Sequence, residues 1–223
     1  MEEEIWDLYD KEMNFIRTFV RGSGFIPRGL YHKAVEVIPT DMKGHLLLTR
    51  RSLRKRIGGG CLEFPAGSVI SGETEKAAAL RELWEETGLK ATKLYYLRRV
   101  GTNGIIRYIY LACIPDMLER DICYDPQEVM GYQFVSYDRW LSLLTTDEYN
   151  VVRTNCYDEK LFATVKTLVQ QNVADEPEVS PKPRATMTQR KSLATKTLKQ
   201  PDKRCFGDTD DNLDIPDLEQ GDD

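Results

Sequence analysis

Between positions 75 and 87 small and apolar residues, Ala77, Leu80, Leu83, Trp84 and Thr87, recur at helical spacing and predict an amphipathic helix. Glu82, Glu85 and Glu86 fall at i, i+3 and i+4 on a separate edge, so the pattern expects a buried stripe with acids at its rim. Thr74 suits the N-cap, Glu75 the first turn, and Gly88 a left-handed C-terminal stop. Elsewhere the period is mostly two. Residues 4–21 group aromatic and branched residues on either side of a turn-like KEMN, which suggests a hairpin, with a short helix as the alternative. YHKAVEVIP and HLLLTRRS flank the turn TDMKG and read as a second hairpin. CLEFPAG reads as a short strand, and residues 93–101 and 104–114 as two strands joined at Asn103-Gly104. MGYQFVS follows as a strand, and Ser136 caps a short helix. Apolar residues at 161, 162, 165, 168 and 169 predict a closing helix over 158–171, packed on the sheet face opposite the glutamate helix.

From about residue 172 the pattern stops. Phe206 is the only aromatic there, and a basic middle gives way to the acidic end DTDDNLDIPDLEQGDD, a composition that predicts disorder. The chain of 223 residues therefore divides into a domain over 1–171 and a charged tail over 172–223, with any tail partner unspecified. A net charge of −5 argues against a general nucleic-acid binder. No apolar run is long enough to span a membrane, and the acidic start MEEEIWDLYD is unlike a signal peptide, so a cytoplasmic location is expected. Cysteines 61, 113, 123, 156 and 205 form no CxxC pair, and with two histidines they support neither a zinc site nor a disulfide framework.

Three carboxylates crowded on one helix edge repel unless a proton or cation intervenes, and hard oxygen donors at that density suit Mg²⁺ or Mn²⁺. Arg81 lies one turn before Glu85 and can hold a carboxylate in fixed orientation. Gly67 and Gly72 let the preceding loop bend and bring a backbone carbonyl to the same ion. The basic run RRSLRKR ahead of three glycines offers charge to a phosphate.

The whole pattern is Gly67, five residues, Glu73, seven residues, Arg81-Glu82-Leu83, one residue, Glu85-Glu86, one residue, Gly88-Leu89. It resembles an intact Nudix box, a combination that a solvated acidic helix does not explain. The resemblance implies an α+β fold, an α/β/α sandwich with a mixed sheet, a catalytic loop-helix and a disordered tail. It also implies a Mg²⁺- or Mn²⁺-dependent hydrolase that cleaves a pyrophosphate bond in a nucleoside diphosphate derivative. By that match Glu82, Glu85, Glu86 and the Gly67 carbonyl are metal ligands, one acid serves as base, and Glu73 and Arg81 orient the helix and loop. Glu128 resembles the position of a further carboxylate, with an ordinary loop acid as the alternative. Glu63 resembles a pocket-lining strand residue, and an ion pair with a nearby arginine serves equally well. Of Arg50 and Arg51, neighbours on a strand, one is expected to meet phosphate and the other solvent.

The N-terminal third resembles the Nudix subgroup that contains type 1 isopentenyl-diphosphate isomerase, where a histidine at the place of His32 belongs to a metal site. That isomerase needs a cysteine just before the box and a histidine close behind it. This chain has Phe64-Pro65-Ala66-Gly67 there, and Cys61 is out of register. Hydrolase is therefore preferred over isomerase, and His32 is read as a hydrogen-bonded strand residue. A non-catalytic nucleotide sensor on the same fold is the third reading. The substrate stays open between ADP-ribose-like compounds, to which LEFPAG leans, nucleoside triphosphates and prenyl diphosphates; homodimerisation is also left open.

Overall fold

The computed structural model describes residues 3–102, 104–115, 117 and 121–170. Asn103, Cys205 and the tail lie outside them, and with them the expectations of a tight turn at Asn103-Gly104 and of a disordered tail. Nine strands and four helices form among the described residues: β1 (Ile5–Tyr9), β2 (Phe15–Val20), β3 (Tyr31–Thr40), β4 (His45–Arg51), β5 (Leu62–Glu63), β6 (Ala66–Ser68), α1 (Glu75–Thr87), β7 (Lys93–Thr102), β8 (Ile105–Cys113), β9 (Val129–Ser136), α2 (Tyr137–Leu143), α3 (Val151–Thr154) and α4 (Glu159–Gln170). Among them no helix is long and apolar enough to cross a membrane.

The sheet is mixed and organised on β3. Its full length pairs in parallel with β8, from His32↔Ile105 to Thr40↔Cys113, and β7 continues antiparallel on β8. Along its other edge β3 meets three strands in turn: β1 at Leu8↔His32, β6 at Ala34↔Ser68 to Glu36↔Ala66, and β4 at Thr40↔Leu46. The expected second hairpin is thus closed at one end only. β4 turns away to pair with β9 and β5, because β9 satisfies its edge from His45 to Arg51. The expected strand CLEFPAG is split by Pro65 between these diverging partners: β5 follows β4 and β6 follows β3.

Both faces of the sheet are covered, which makes the sandwich. On one, Val35, Val37, Leu47, Tyr110 and Ala112 pack on Ala78, Ala79 and Leu83 of α1. On the other, Ile38, Leu46, Leu48, Ile109 and Leu111 pack on Trp140 of α2 and Leu161, Val165 and Val169 of α4, the opposite-face placement predicted for the closing helix. The ends of α1 are as expected: Thr74 Oγ1 accepts from Ala77 N at 3.2 Å, and Gly88, at φ 72°, donates its N–H to Trp84 O at 2.7 Å. Its buried stripe differs. Ala78, Ala79, Leu83, Glu86 and Thr87 are inside, whereas Ala77 is exposed and Trp84 half-buried. Glu86 therefore belongs to the packed side of the helix rather than its rim. α3, only four residues long, had no periodicity to announce it.

Candidate active site

The cleft opens where β3 and β4 splay and is lined from both, from the β6 loop, from α1 and from α3, with a volume of about 1240 Å³. That is room for a ligand of nucleotide size or larger. Arg81 organises its acidic end. Its Nε and Nη2 donate to the two Glu73 oxygens at 2.9 Å each, Nη2 also to Ser68 O at 3.0 Å, and Nη1 to Glu82 at 2.8 Å and Glu85 at 3.1 Å. Burial would lower the Arg81 pKa, but Glu73 and Glu82 overrule it and raise it, so the guanidinium is a permanent charge.

Glu82 lies directly over Gly67. A Cβ built on that glycine would stand 1.8 Å from Glu82 Oε1, so only the bare backbone allows this approach. One turn on, Glu86 is buried, with Ala66 N at 3.4 Å from Oε1 and Thr49 Oγ1 at 3.3 Å from Oε2. Burial, reinforced by Glu85 against the pull of Arg81, pushes the Glu82 carboxyl up to about 7. Burial, then Glu63 and Glu82, raises Glu86 well above the ordinary carboxylate range. Glu85 is exposed at the rim.

This donor set fits a hard divalent cation. A half-buried and a buried carboxylate, Glu82 and Glu86, stand beside the Gly67 loop and are driven toward protonation by lost water and by neighbouring acids, a penalty that a cation relieves. Among the described residues no three such side chains are already gathered in a ligating arrangement, since Arg81 draws Glu82 and Glu85 to itself.

The other expected residues separate. Glu128 lines the cleft from the loop before β9, half-exposed and ion-paired with Lys55. Arg51 lines it as well, with Nε on Ile57 O at 2.9 Å and Nη1 on Glu63 at 2.9 Å. Arg50 is absent from the cleft lining and, partly exposed, donates to Gly60 O at 2.7 Å, holding the glycine loop. Glu63 is buried behind the wall, which favours its ion-pair reading: burial would raise its pKa, but Arg153 and Arg51 hold it down. His32 lines the cleft, stacks on Trp6 with centroids 4.1 Å apart and planes 9° apart, and has no hydrogen-bond partner for Nδ1. The expected side-chain hydrogen bond is replaced by stacking at that nitrogen, and burial with Arg107 pushes its pKa down to about 4. Sequence reading missed Arg153, Arg107, Glu36 and Asn150, all buried or nearly so. The one visible signal was a charge inside an otherwise apolar strand, Glu36 in YHKAVEVIP and Arg107 in GIIRYIYLACI.

A Nudix-domain family model matches residues 30–154. The chain belongs to the Nudix family. Its intact box places it among the family's hydrolases, in agreement with relatives so named. The mouse ADP-sugar pyrophosphatase is 44% identical over 66 residues, 28% of this chain, but the match spans only 30% of that enzyme. An isopentenyl-diphosphate Delta-isomerase of Streptomyces coelicolor is 30% identical over 142 residues, 60% of this chain and 72% of that one. The crystal structure of DR0079 from Deinococcus radiodurans superposes with a TM-score of 0.58 over 70% of this chain and 100% of that one; at 20% identity it supports the fold alone.

Proposed function

We propose that this Nudix protein hydrolyses the pyrophosphate bond of a nucleoside diphosphate derivative of the ADP-ribose or ADP-sugar type, with Mg²⁺ or Mn²⁺ as cofactor. The observation that carries the reading is the pair Glu82 and Glu86, packed against the Gly67 loop beside a cleft of nucleotide size. Glu82, Glu86 and the Gly67 carbonyl would hold the cation, with Glu85 and Glu128 as further oxygen donors. When bound, the ion supplies charge neutralisation for the phosphoryl oxygens and acidifies a water. Arg81, itself held by both Glu73 oxygens, fixes the Glu82 and Glu85 carboxylates directly, and one of the glutamates takes the proton of the attacking water. Arg51 and Lys55 supply positive charge on the wall for the anionic substrate.

Similarity to the mouse enzyme over 66 residues supports the ADP-linked substrate class. The isomerase reading lacks its acid/base: Cys61 contacts Asp147 O at 3.7 Å and is absent from the cleft wall. The test is a panel of ADP-ribose, ADP-glucose, nucleoside triphosphates and isopentenyl diphosphate assayed with Mg²⁺ and Mn²⁺. Turnover of an ADP-linked compound should fall at least about 100-fold in Glu86→Gln. Tight nucleotide binding with no metal-dependent phosphate or nucleotide release would favour the sensor.

A further inference from the structure

The sheet is left open along β2. That strand ends the path β2-β1-β3-β4-β5, and β1 is its one partner among the described strands. Every second residue of β2 therefore turns its N–H and C=O outward with no strand to meet them. Such an edge is ordinarily blunted by lysine, proline or a covering segment. Phe15–Val20 reads FIRTFV and has neither residue. Instead Phe15 and Ile16 are 57% and 47% exposed, and Ile5 of β1 and Phe25 in the following loop are exposed as well. The hairpin is nonetheless firmly seated. Ser71 N donates to Ile5 O at 2.8 Å, and Asp7 accepts from Ser71 Oγ at 2.7 Å and Gly72 N at 3.4 Å, so β1 is tied to the box loop. An open edge on a fixed strand is a surface for another strand.

Which strand fits there follows from the sequence of β2 itself. Two copies of one strand paired antiparallel about a two-fold axis set one residue opposite its own copy. Ile16 has no opposite on β1, so the regular run starts at Arg17, and it lasts to Arg21, whose N–H reaches Glu4 O at 2.9 Å. Centred on Arg17, guanidinium faces guanidinium. Centred on Phe19, each Arg17 faces an Arg21. Centred on Val20, the pairing runs out at Gly22, which turns at φ 85°. Centred on Thr18, hydroxyl meets hydroxyl, and each Arg17 lies across from a Phe19, whose ring attracts a cation. Of these registers only the last is both extended and free of like-charge contact.

We infer that β2 pairs with β2 of a second copy, antiparallel and centred on Thr18, so that two sheets join into one. The same register carries the exposed Phe15 and Ile16 toward Val20 and Arg21 of the second copy. Arg21 and Glu4 line the cleft, so each copy borders the cleft of the other. The assembly is closed, because a two-fold axis uses both open β2 edges and leaves none to propagate. It holds whether or not the cleft hydrolyses a pyrophosphate.

The test is sedimentation of the full-length protein over a concentration series. Wild type should dimerise. Thr18→Arg sets like charges across the axis and beside Arg17, and should raise the dimer Kd by about tenfold or more while Tm stays nearly unchanged, since Thr18 is exposed. Thr18→Cys under mild oxidation should give a covalent dimer, because opposed Cα atoms about 4.5–5.5 Å apart suit a disulfide. Arg17→Cys should not, since its copy lies two residues off, roughly 8 Å away. Wild type oxidised alongside accounts for the native thiols. Thr18→Cys keeps the size of the side chain, so the cross-link decides if Thr18→Arg fails to fold. A wild type monomeric up to roughly 100 μM, or a dimer that ignores Thr18→Arg, overturns the pairing. So does cross-linking of Arg17→Cys as readily as Thr18→Cys.

Discussion

Glu82 and Glu86 hold protons more tightly in the folded protein than in the unfolded chain, Glu82 up to about 7 and Glu86 well above its ordinary value. A raised carboxyl contributes stability that is complete below its unfolded pKa and lost as pH rises through the folded one. His32, pushed down to about 4, acts oppositely, but only below its unfolded 6.5. From pH 6.5 to about 8 the acids act alone, so the metal-free protein should lose Tm as pH rises. Mg²⁺ should stabilise more at the upper end, where both carboxylates are charged and unrelieved. Thermal melts in chelator and in Mg²⁺ check this, and Glu86→Gln should flatten the metal-free slope. A metal-free Tm that climbs over that interval would contradict the assignment of these two groups.

At the scale of the element, α1 is terminated by two unequal devices. Thr74 supplies one hydrogen bond at the N-terminus, and Thr74→Ala should cost about 1 kcal/mol. Gly88 stands at φ 72°, and a Cβ there would lie 2.9 Å from that of Cys123. Gly88→Ala therefore adds a clash to the left-handed penalty of roughly 1–2 kcal/mol and should destabilise more than the cap change. Urea unfolding of the two variants ranks them, and equal losses would mean that the loop at Cys123 yields freely. The helix and its caps were legible because each depends on neighbours in sequence. Its rotation was not: Ala77 and Trp84 have the composition of a buried stripe, yet the sheet takes Ala78, Ala79 and Glu86 instead. The same limit applies to β3 and β4, whose turn is local but whose separation follows from distant β8 and β9.

At the scale of the molecule, the family match ends at residue 154 and α4 completes the second core through Leu161, Val165 and Val169. A domain boundary near 171 is accordingly proposed. Removing residues 173–223 should leave kcat/KM within about threefold and Tm nearly unchanged; a marked loss of either would show that the tail packs on the domain.

Residue order by itself determined the box, because its glycines, arginine and acids act at helical and loop spacing along one stretch of chain. It also determined the closing helix and the α+β class, through local hydrophobic periods. Tertiary structure alone decided what surrounds the box. Splaying of β3 and β4 opens the cleft, burial of Glu86 raises its pKa, and Glu63 gathers the nearby Arg51 with Asn150 and Arg153, which lie 87 and 90 residues further along the chain. Such contacts depend on which strands pair and how a helix is turned. Those choices are made by packing across the whole core, and no local spacing encodes them.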